Sequence, residues 1–244
     1  MIGDFISAIW KHRYCIVCER RFKEFKPFGV SSDFFKTHNI IGGGFRENCQ
    51  CIRCGTIDRG RWQYYVLKKH SGILEKECSV LHFAPEKANA RLIRTNTQCN
   101  YVTVDITPGR ADYVADITNM LQFSDNSFDY VIANHVLEHI SDEAKAFSEI
   151  KRVLKSDGKL IISFPICTNM KTYEDSSITT PEGRLEAFGQ EDHVRLYGTD
   201  FKEHLEKFGL IVKIFQPQNE LKPRAIKKYG FIKDDVIMIC NFKN

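Results

Sequence analysis

Val80-Leu81-His82-Phe83-Ala84-Pro85-Glu86 is the stretch from which the rest of the chain is best read. Val80 to Phe83 is a short apolar run, read as a strand. Pro85 suits the first turn of a helix, and residues 86–94 continue as that helix. The same alternation repeats outward. Tyr101-Val102-Thr103-Val104 is β-branched and aromatic and ends at Asp105. Phe128 to Ala133 reads as another strand. Residues 142–154 read as a helix with Phe147, Ile150 and Leu154 on one face and Gly158 just beyond its end. Leu160 to Phe164 is a strand stopped by Pro165. Asp200 to Phe208 is a helix with Phe201, Leu205 and Phe208 in one stripe, closed by Gly209. Leu210 to Phe215 and Val236 to Phe242 are the last two strands. Strands alternating with helices predict an α/β fold, a mostly parallel sheet covered on both faces.

The chain has 244 residues, enough for one medium α/β domain and a small additional module. No apolar run reaches the roughly 18 residues that a membrane span needs. The N-terminus carries Asp4 early and lacks a small-residue cleavage site, so it is not read as a secretory signal, and a cytoplasmic location is expected. A net charge of +4 is too weak to argue for nucleic acid by itself. The expected division is residues 1–58 as one module and 59–244 as the α/β domain. Within the latter, residues 165–198 are a polar stretch without clear periodicity, expected to cover a substrate.

Cysteines set the first segment apart. Cys15-Ile-Val-Cys18 and Cys51-Ile-Arg-Cys54 are two CxxC knuckles with 32 residues between them. Each such turn presents two thiolates to one ion, and two turns complete a closed tetrahedral shell. The reading is a structural Zn2+ site on Cys15, Cys18, Cys51 and Cys54, with unconnected thiols or a redox pair as the bland alternative. Cys49 and Cys51 do not form a standard knuckle, so Cys49 is left out. Metal would hold together a segment too small to bury a core alone. The scattered Cys78, Cys99, Cys167 and Cys240 read as small buried residues.

In a doubly wound sheet, ligands sit beyond the carboxyl ends of the strands, near the point where strand order reverses. Asp105 ends the second strand, about 20 residues after the first turn, where an acidic side chain can accept both ribose hydroxyls of a nucleoside. Asp116-Ile117 follows a third short run, Ala111 to Val114. A carboxylate beside an apolar residue suits adenine, as acceptor for the amino group and wall for the ring. Asn134-His135-Val136-Leu137-Glu138-His139 comes directly after the fourth strand.

Asp116-Ile117, Ser127-Phe128-Asp129, His135-Val136-Leu137-Glu138-His139, Arg152-Val153-Leu154 and Gly158 together resemble the signature of class I, "type 11", S-adenosylmethionine-dependent methyltransferases, over residues 78–165. That resemblance implies a Rossmann-like, seven-stranded sheet with a reversed final strand. It implies that His82, Phe83, Ala84 and Pro85 hold the methionine part of S-adenosyl-L-methionine. Asp105, with Ile106 beside it, would take the ribose, Asp116 and Ile117 the adenine, and Asn134 and His135 the region beside the methyl group. One departure stands out: the family's glycine-rich first loop is replaced by His82-Phe83-Ala84-Pro85-Glu86, which predicts a less close approach of backbone to ligand. The HFAPE turn, the cysteine pairs and the stretch from Gly189 to Gly198 are similar to a bacterial subfamily, whose members often look like enzymes of surface-polysaccharide or other small-molecule pathways.

The donor methyl is already activated, so alignment and a free lone pair on the acceptor matter most. A hydroxyl acceptor gains from a base near neutral pKa. His193 is the first candidate and His135 the second, with Glu138 and His139 read as orienting the loop. Thr172, Glu174, Asp192, Arg195 and Tyr197 are candidate substrate contacts, Arg195 for a phosphate or carboxylate. The bland readings are a structural hydrogen-bonder for His193, a surface ion pair for Arg195 and an exposed loop around residues 172–175. The expected acceptor is an oxygen or nitrogen of a small metabolite or sugar-derived precursor. RNA is the first alternative, with the cysteine module and Lys222 to Tyr229 gripping phosphates. A non-catalytic adaptor that keeps the fold is the second.

Overall fold

The computed structural model describes residues 13–96 and 98–243. The N-terminal stretch judged above for a secretory signal lies largely outside them.

The first segment is built from short pieces: β1 (Arg13–Cys15), β2 (Arg20–Phe22), β3 (Lys26–Phe28), a helix Asp33–Thr37, β4 (Ile40–Ile41) and β5 (Arg46–Gln50). β1 pairs antiparallel with β2, and β3 with β5. A helix Asp58–Val66 then leads to β6 (Cys78–Phe83), a helix Lys87–Arg94, β7 (Cys99–Asp105), β8 (Tyr113–Val114) and β9 (Phe128–Asn134). After the helix Glu143–Val153 come β10 (Leu154–Ser163), β11 (Ile166–Cys167), β12 (Tyr173–Glu174), a helix Pro181–Phe188 and β13 (Arg195–Leu196). The chain closes with the helix Phe201–Glu206, β14 (Leu210–Phe215), two short helices (Pro217–Glu220 and Pro223–Tyr229) and β15 (Ile237–Phe242).

Seven strands form one sheet in the order β14-β15-β10-β9-β6-β7-β8. β8, β7, β6, β9 and β10 run parallel, and β15 lies antiparallel between β10 and β14. This is the Rossmann-like doubly wound sheet with a reversed last strand that the sequence implied. The central strands read as continuous apolar runs because both faces are covered. One face packs Leu81, Val131, Ile162, Phe147, Ile150 and Leu205 together; the other packs Val80, Ile132, Ile161, Trp62, Ile93 and Ile226. Strand order reverses between β6 and β9, so the carboxyl ends of these strands frame a crevice.

Two local expectations change. Pro85 is not in the first helical turn: the helix starts at Lys87, with Glu86 extended as its N-cap. Gly158 does not follow the helix Glu143–Val153. That helix passes directly into β10, and Gly158 lies within the strand, where a side chain would press on Leu154 and the Lys155 backbone.

The polar stretch after Pro165 is ordered by partners distant in sequence. β11 pairs antiparallel with β4, joining Ile166 to Ile41 and Cys167 to Ile40. Cys167, Phe188 and Leu196 share a small core with Phe34, Ile40 and Met170. Gly189 ends the helix Pro181–Phe188 in the left-handed conformation, and a Cβ there would sit 2.5 Å from the Phe34 ring. Only glycine satisfies both demands.

Candidate active site

The crevice is a cleft of about 430 Å3 at the carboxyl ends of β6, β7 and β9. Phe83, Ala84, Asp105, Ile106, Asp116, Ile117, His135 and Asp192 all line it, so seven of the residues expected at the cofactor are brought together there. Ala84 solves the missing-glycine problem in its own way. Its φ is +45°, the left-handed region, and its N–H donates to the Val104 carbonyl at 2.8 Å. A methyl is the smallest side chain that can pay this strain, which costs roughly 1–2 kcal/mol. The turn thus adopts, without glycine, a backbone conformation that glycine favours.

Asp105 Oδ1 accepts from the Thr107 N–H at 2.8 Å, and Asp116 Oδ1 accepts from both the N–H and the hydroxyl of Thr118 at 2.8 Å. One oxygen of each carboxylate fixes its own turn, which leaves the other for a ligand. Ile106 is 70% exposed beside them, an apolar wall that a nucleoside would cover.

Three expected residues stand behind the cleft wall. His82 is fully buried, with Nδ1 2.8 Å from the Tyr101 hydroxyl and Nε2 3.3 Å from Glu86. Asn134 is buried and accepts from the Ser163 hydroxyl at 3.0 Å. Pro85 flanks the turn without lining the cleft. These residues shape the first loop from below.

His135 also takes a left-handed backbone, at φ +53°. Its Nδ1 lies 3.2 Å from Glu138 Oε1 and 3.5 Å from Arg59 Nη1. Burial, helped by the Arg59 charge, pulls its pKa below the usual histidine value. Glu138 is the opposite case: burial opposes its ionisation, but His135 outweighs this and holds it below the usual carboxylate range. The neutral tautomer that fits has Nδ1–H donating to Glu138 and Nε2 free. His193 is buried, its pKa pushed down to about 4 by desolvation.

The substrate candidates separate. Asp192 lines the cleft and also a second cavity of about 610 Å3, bounded by Phe28 to Arg46, Arg59 and residues 185–192. Arg195 is fully committed elsewhere: its guanidinium donates to the carbonyls of Leu137 and Ile140 and to Glu174. Tyr197 is buried and donates to Glu143. Thr172 donates to Asp200 and accepts from the Gly198 N–H. Arg195 and Tyr197 hold the 165–198 segment against the domain, and Thr172 and Glu174 brace it from within. Arg59 escaped the sequence reading because nothing local marks it; only the fold carries it from the start of its helix to His135 and to the Gly42 carbonyl, 3.0 Å away.

Cys15, Cys18, Cys51 and Cys54 place their sulfurs within 4.8 Å of one another. Cys15 and Cys54 are 3.6 Å apart, and Cys18 and Cys51 3.7 Å. A tetrahedron of thiolates about 2.3 Å from zinc has an edge of roughly 3.8 Å, so the residues fit a metal of that kind. Burial pushes the Cys15 thiol up; Cys54, hydrogen-bonded by Thr56 at 3.2 Å, is drawn down to about 7 against the same desolvation. The buried Arg61 ties this module to the domain, donating to the carbonyls of Cys49, Thr56, Tyr229 and Gly230.

Comparison with known proteins gives the class. Residues 79–162 match the family described as "Methyltransferase domain". Phosphoethanolamine N-methyltransferase 2 of Caenorhabditis elegans is 43% identical over 54 residues, 22% of this chain and 12% of that protein. Demethylmenaquinone methyltransferase of Renibacterium salmoninarum is 38% identical over 52 residues, 21% of this chain and 22% of that one. The matches thus span less than a quarter of these relatives' length. Among solved structures, the (4+2)-cyclase SpnF is similar with a TM-score of 0.50 at 16% identity, covering 75% of this chain and 80% of that one. A SAM-dependent methyltransferase from Archaeoglobus fulgidus has a TM-score of 0.48 at 13% identity, covering 76% and 94%. The similarity to methyltransferases is thus carried by residues 79–162. Among the described residues, no helix is long and apolar enough to cross a membrane.

Proposed function

We propose that the protein transfers a methyl group from S-adenosylmethionine to an oxygen or nitrogen of a small metabolite or sugar-derived acceptor. The observation that carries this is the junction of two cavities at Asp192. On one side lies the cleft with Asp105, Asp116 and His135; on the other lies the chamber walled by the N-terminal segment and residues 185–192. The cofactor, when bound, supplies an electrophilic methyl on a sulfonium, whose C–S bond breaks with its electron pair going to sulfur as the acceptor's lone pair forms the new bond. Asp105 binds the ribose through its free oxygen. Asp116 takes the adenine amino group, with Ile106 and Ile117 against the ring. His135 Nε2 receives the proton that the acceptor oxygen or nitrogen loses. Glu138 holds the ring in that tautomer and stabilises the charge that develops on it. His193, buried and with its pKa lowered to about 4, is the alternative base.

The module of Cys15, Cys18, Cys51 and Cys54 is proposed to hold a structural Zn2+, leaving no open position for catalysis. Its role is to fix the segment that walls the acceptor chamber. Within the basic run from Lys222 to Tyr229, the feature that raised RNA as an acceptor, Lys228 is taken up by packing, 5.4 Å from the Tyr14 ring centre.

The test is to incubate the zinc-loaded protein with methyl-labelled S-adenosylmethionine and a cell extract, then separate products by size. Label in the small-molecule fraction supports the proposal. Label confined to RNA or protein, or no transfer to any fraction, contradicts it.

A further inference from the structure

Behind His135, three potential metal ligands meet. Glu138, His139 and His193 each place a ligand atom within 4.8 Å of the others. Glu138 and His139 come from the short turn Leu137–His139 after β9, and His193 from the end of the 165–198 segment. The Val194 N–H donates to the Glu138 carbonyl at 2.9 Å and locks the two segments together. The rings of His139 and His193 stand edge to face, their centres 4.7 Å apart.

The polar atoms are unevenly used. Glu138 Oε1 takes the contact with His135, whereas Glu138 Oε2 is buried with no hydrogen-bond partner among the described residues. His193 Nδ1 is likewise buried and unpartnered. Glu138 is 1% exposed and His193 3% exposed, so bulk solvent does not reach either atom. An orphaned carboxylate oxygen beside an orphaned imidazole nitrogen is costly unless something is shared between them. His139 has Nδ1 at 3.2 Å from the Asp192 carbonyl and 3.3 Å from the Asp192 carboxylate. Such a contact fixes the tautomer of a metal-binding histidine and leaves its other nitrogen free for the ion.

We infer that Glu138, His139 and His193 form a second metal site, distinct from the cysteine cluster, for a first-row divalent cation. Two imidazoles and one carboxylate suit such ions and leave open positions for exogenous ligands. Asp192, which borders both the cleft and the second cavity, is its outer support.

The experiment is a titration of zinc-loaded protein with Co2+, following the visible absorption of the bound ion. Nitrogen and oxygen ligation lacks the near-ultraviolet thiolate charge-transfer band, so the cysteine site is told apart directly. One Co2+ per chain without that band is expected, with affinity at least tenfold weaker in His193→Ala. Should that variant not fold, His139→Ala, whose side chain is one-third exposed, gives the same readout. Absence of nitrogen- and oxygen-bound Co2+ in the unaltered protein, or unchanged affinity in the folded variant, overturns the inference. Binding of S-adenosylhomocysteine, measured on the same samples, separates failure of the metal site from failure of the methyltransferase reading.

Discussion

Asp105 and Asp116 each spend one oxygen on a local turn and keep one, so their removal affects ligand more than fold. A hydrogen bond to a charged group contributes about 1.5–3 kcal/mol. Asp105→Ala is therefore expected to weaken S-adenosylhomocysteine binding about tenfold to a hundredfold with little change in melting temperature, read by calorimetric titration. Unchanged affinity would place the nucleoside elsewhere. In the proposed mechanism His135 takes the proton that the acceptor loses. His135→Ala should lower kcat on an oxygen acceptor roughly 100-fold or more and leave cofactor affinity within a few-fold. Ala84 is the third diagnostic position: Ala84→Gly should be tolerated, since φ +45° suits glycine, whereas Ala84→Val should cost about 1–2 kcal/mol by urea denaturation.

At the scale of elements, strands buried on both faces were legible because nothing polar interrupts them: β9 and β14 begin and end within a residue of where their apolar runs do. The carboxylates at strand ends were legible from their spacing along a βα repeat. The segment 165–198 was not. Its first strand, β11, pairs with Ile40 and Ile41, more than a hundred residues upstream, and no local period encodes such a partner. Arg195 and Tyr197 looked like ligands for the same reason, since a polar side chain in a loop gives no sign of the backbone carbonyls or carboxylate it meets after folding. Arg61 has the same character. It joins the cysteine module to the Tyr229–Gly230 turn, and its loss would take a donor from four carbonyls. Arg61→Met is expected to destabilise the protein by about 3 kcal/mol or more, seen as a lower urea midpoint, and to speed zinc loss to a chelator.

For the whole molecule, Asp235 ties stability to pH. Burial, with repulsion from Asp58, raises its pKa from the ordinary 3.8 to about 7, although Arg59 and Arg46 pull the other way. Above pH 4 the unfolded chain gives up this proton while the folded chain keeps it, so stability from this group falls as pH rises from about 4 to about 7 and then levels off. Asp235→Asn should flatten that slope and be relatively more stable than the parent at pH 8 than at pH 5, by thermal melting at both. The larger arrangement is a cleft at the carboxyl ends of β6, β7 and β9 that adjoins a chamber walled by the first segment and residues 185–192. The central claim is that this cleft binds S-adenosylmethionine. Calorimetric titration of the zinc-loaded protein with S-adenosylmethionine and S-adenosylhomocysteine tests it most directly. One site per chain with micromolar affinity, weakened about tenfold or more in Asp105→Ala, is the predicted result; no binding of either compound to folded, zinc-loaded protein would contradict it.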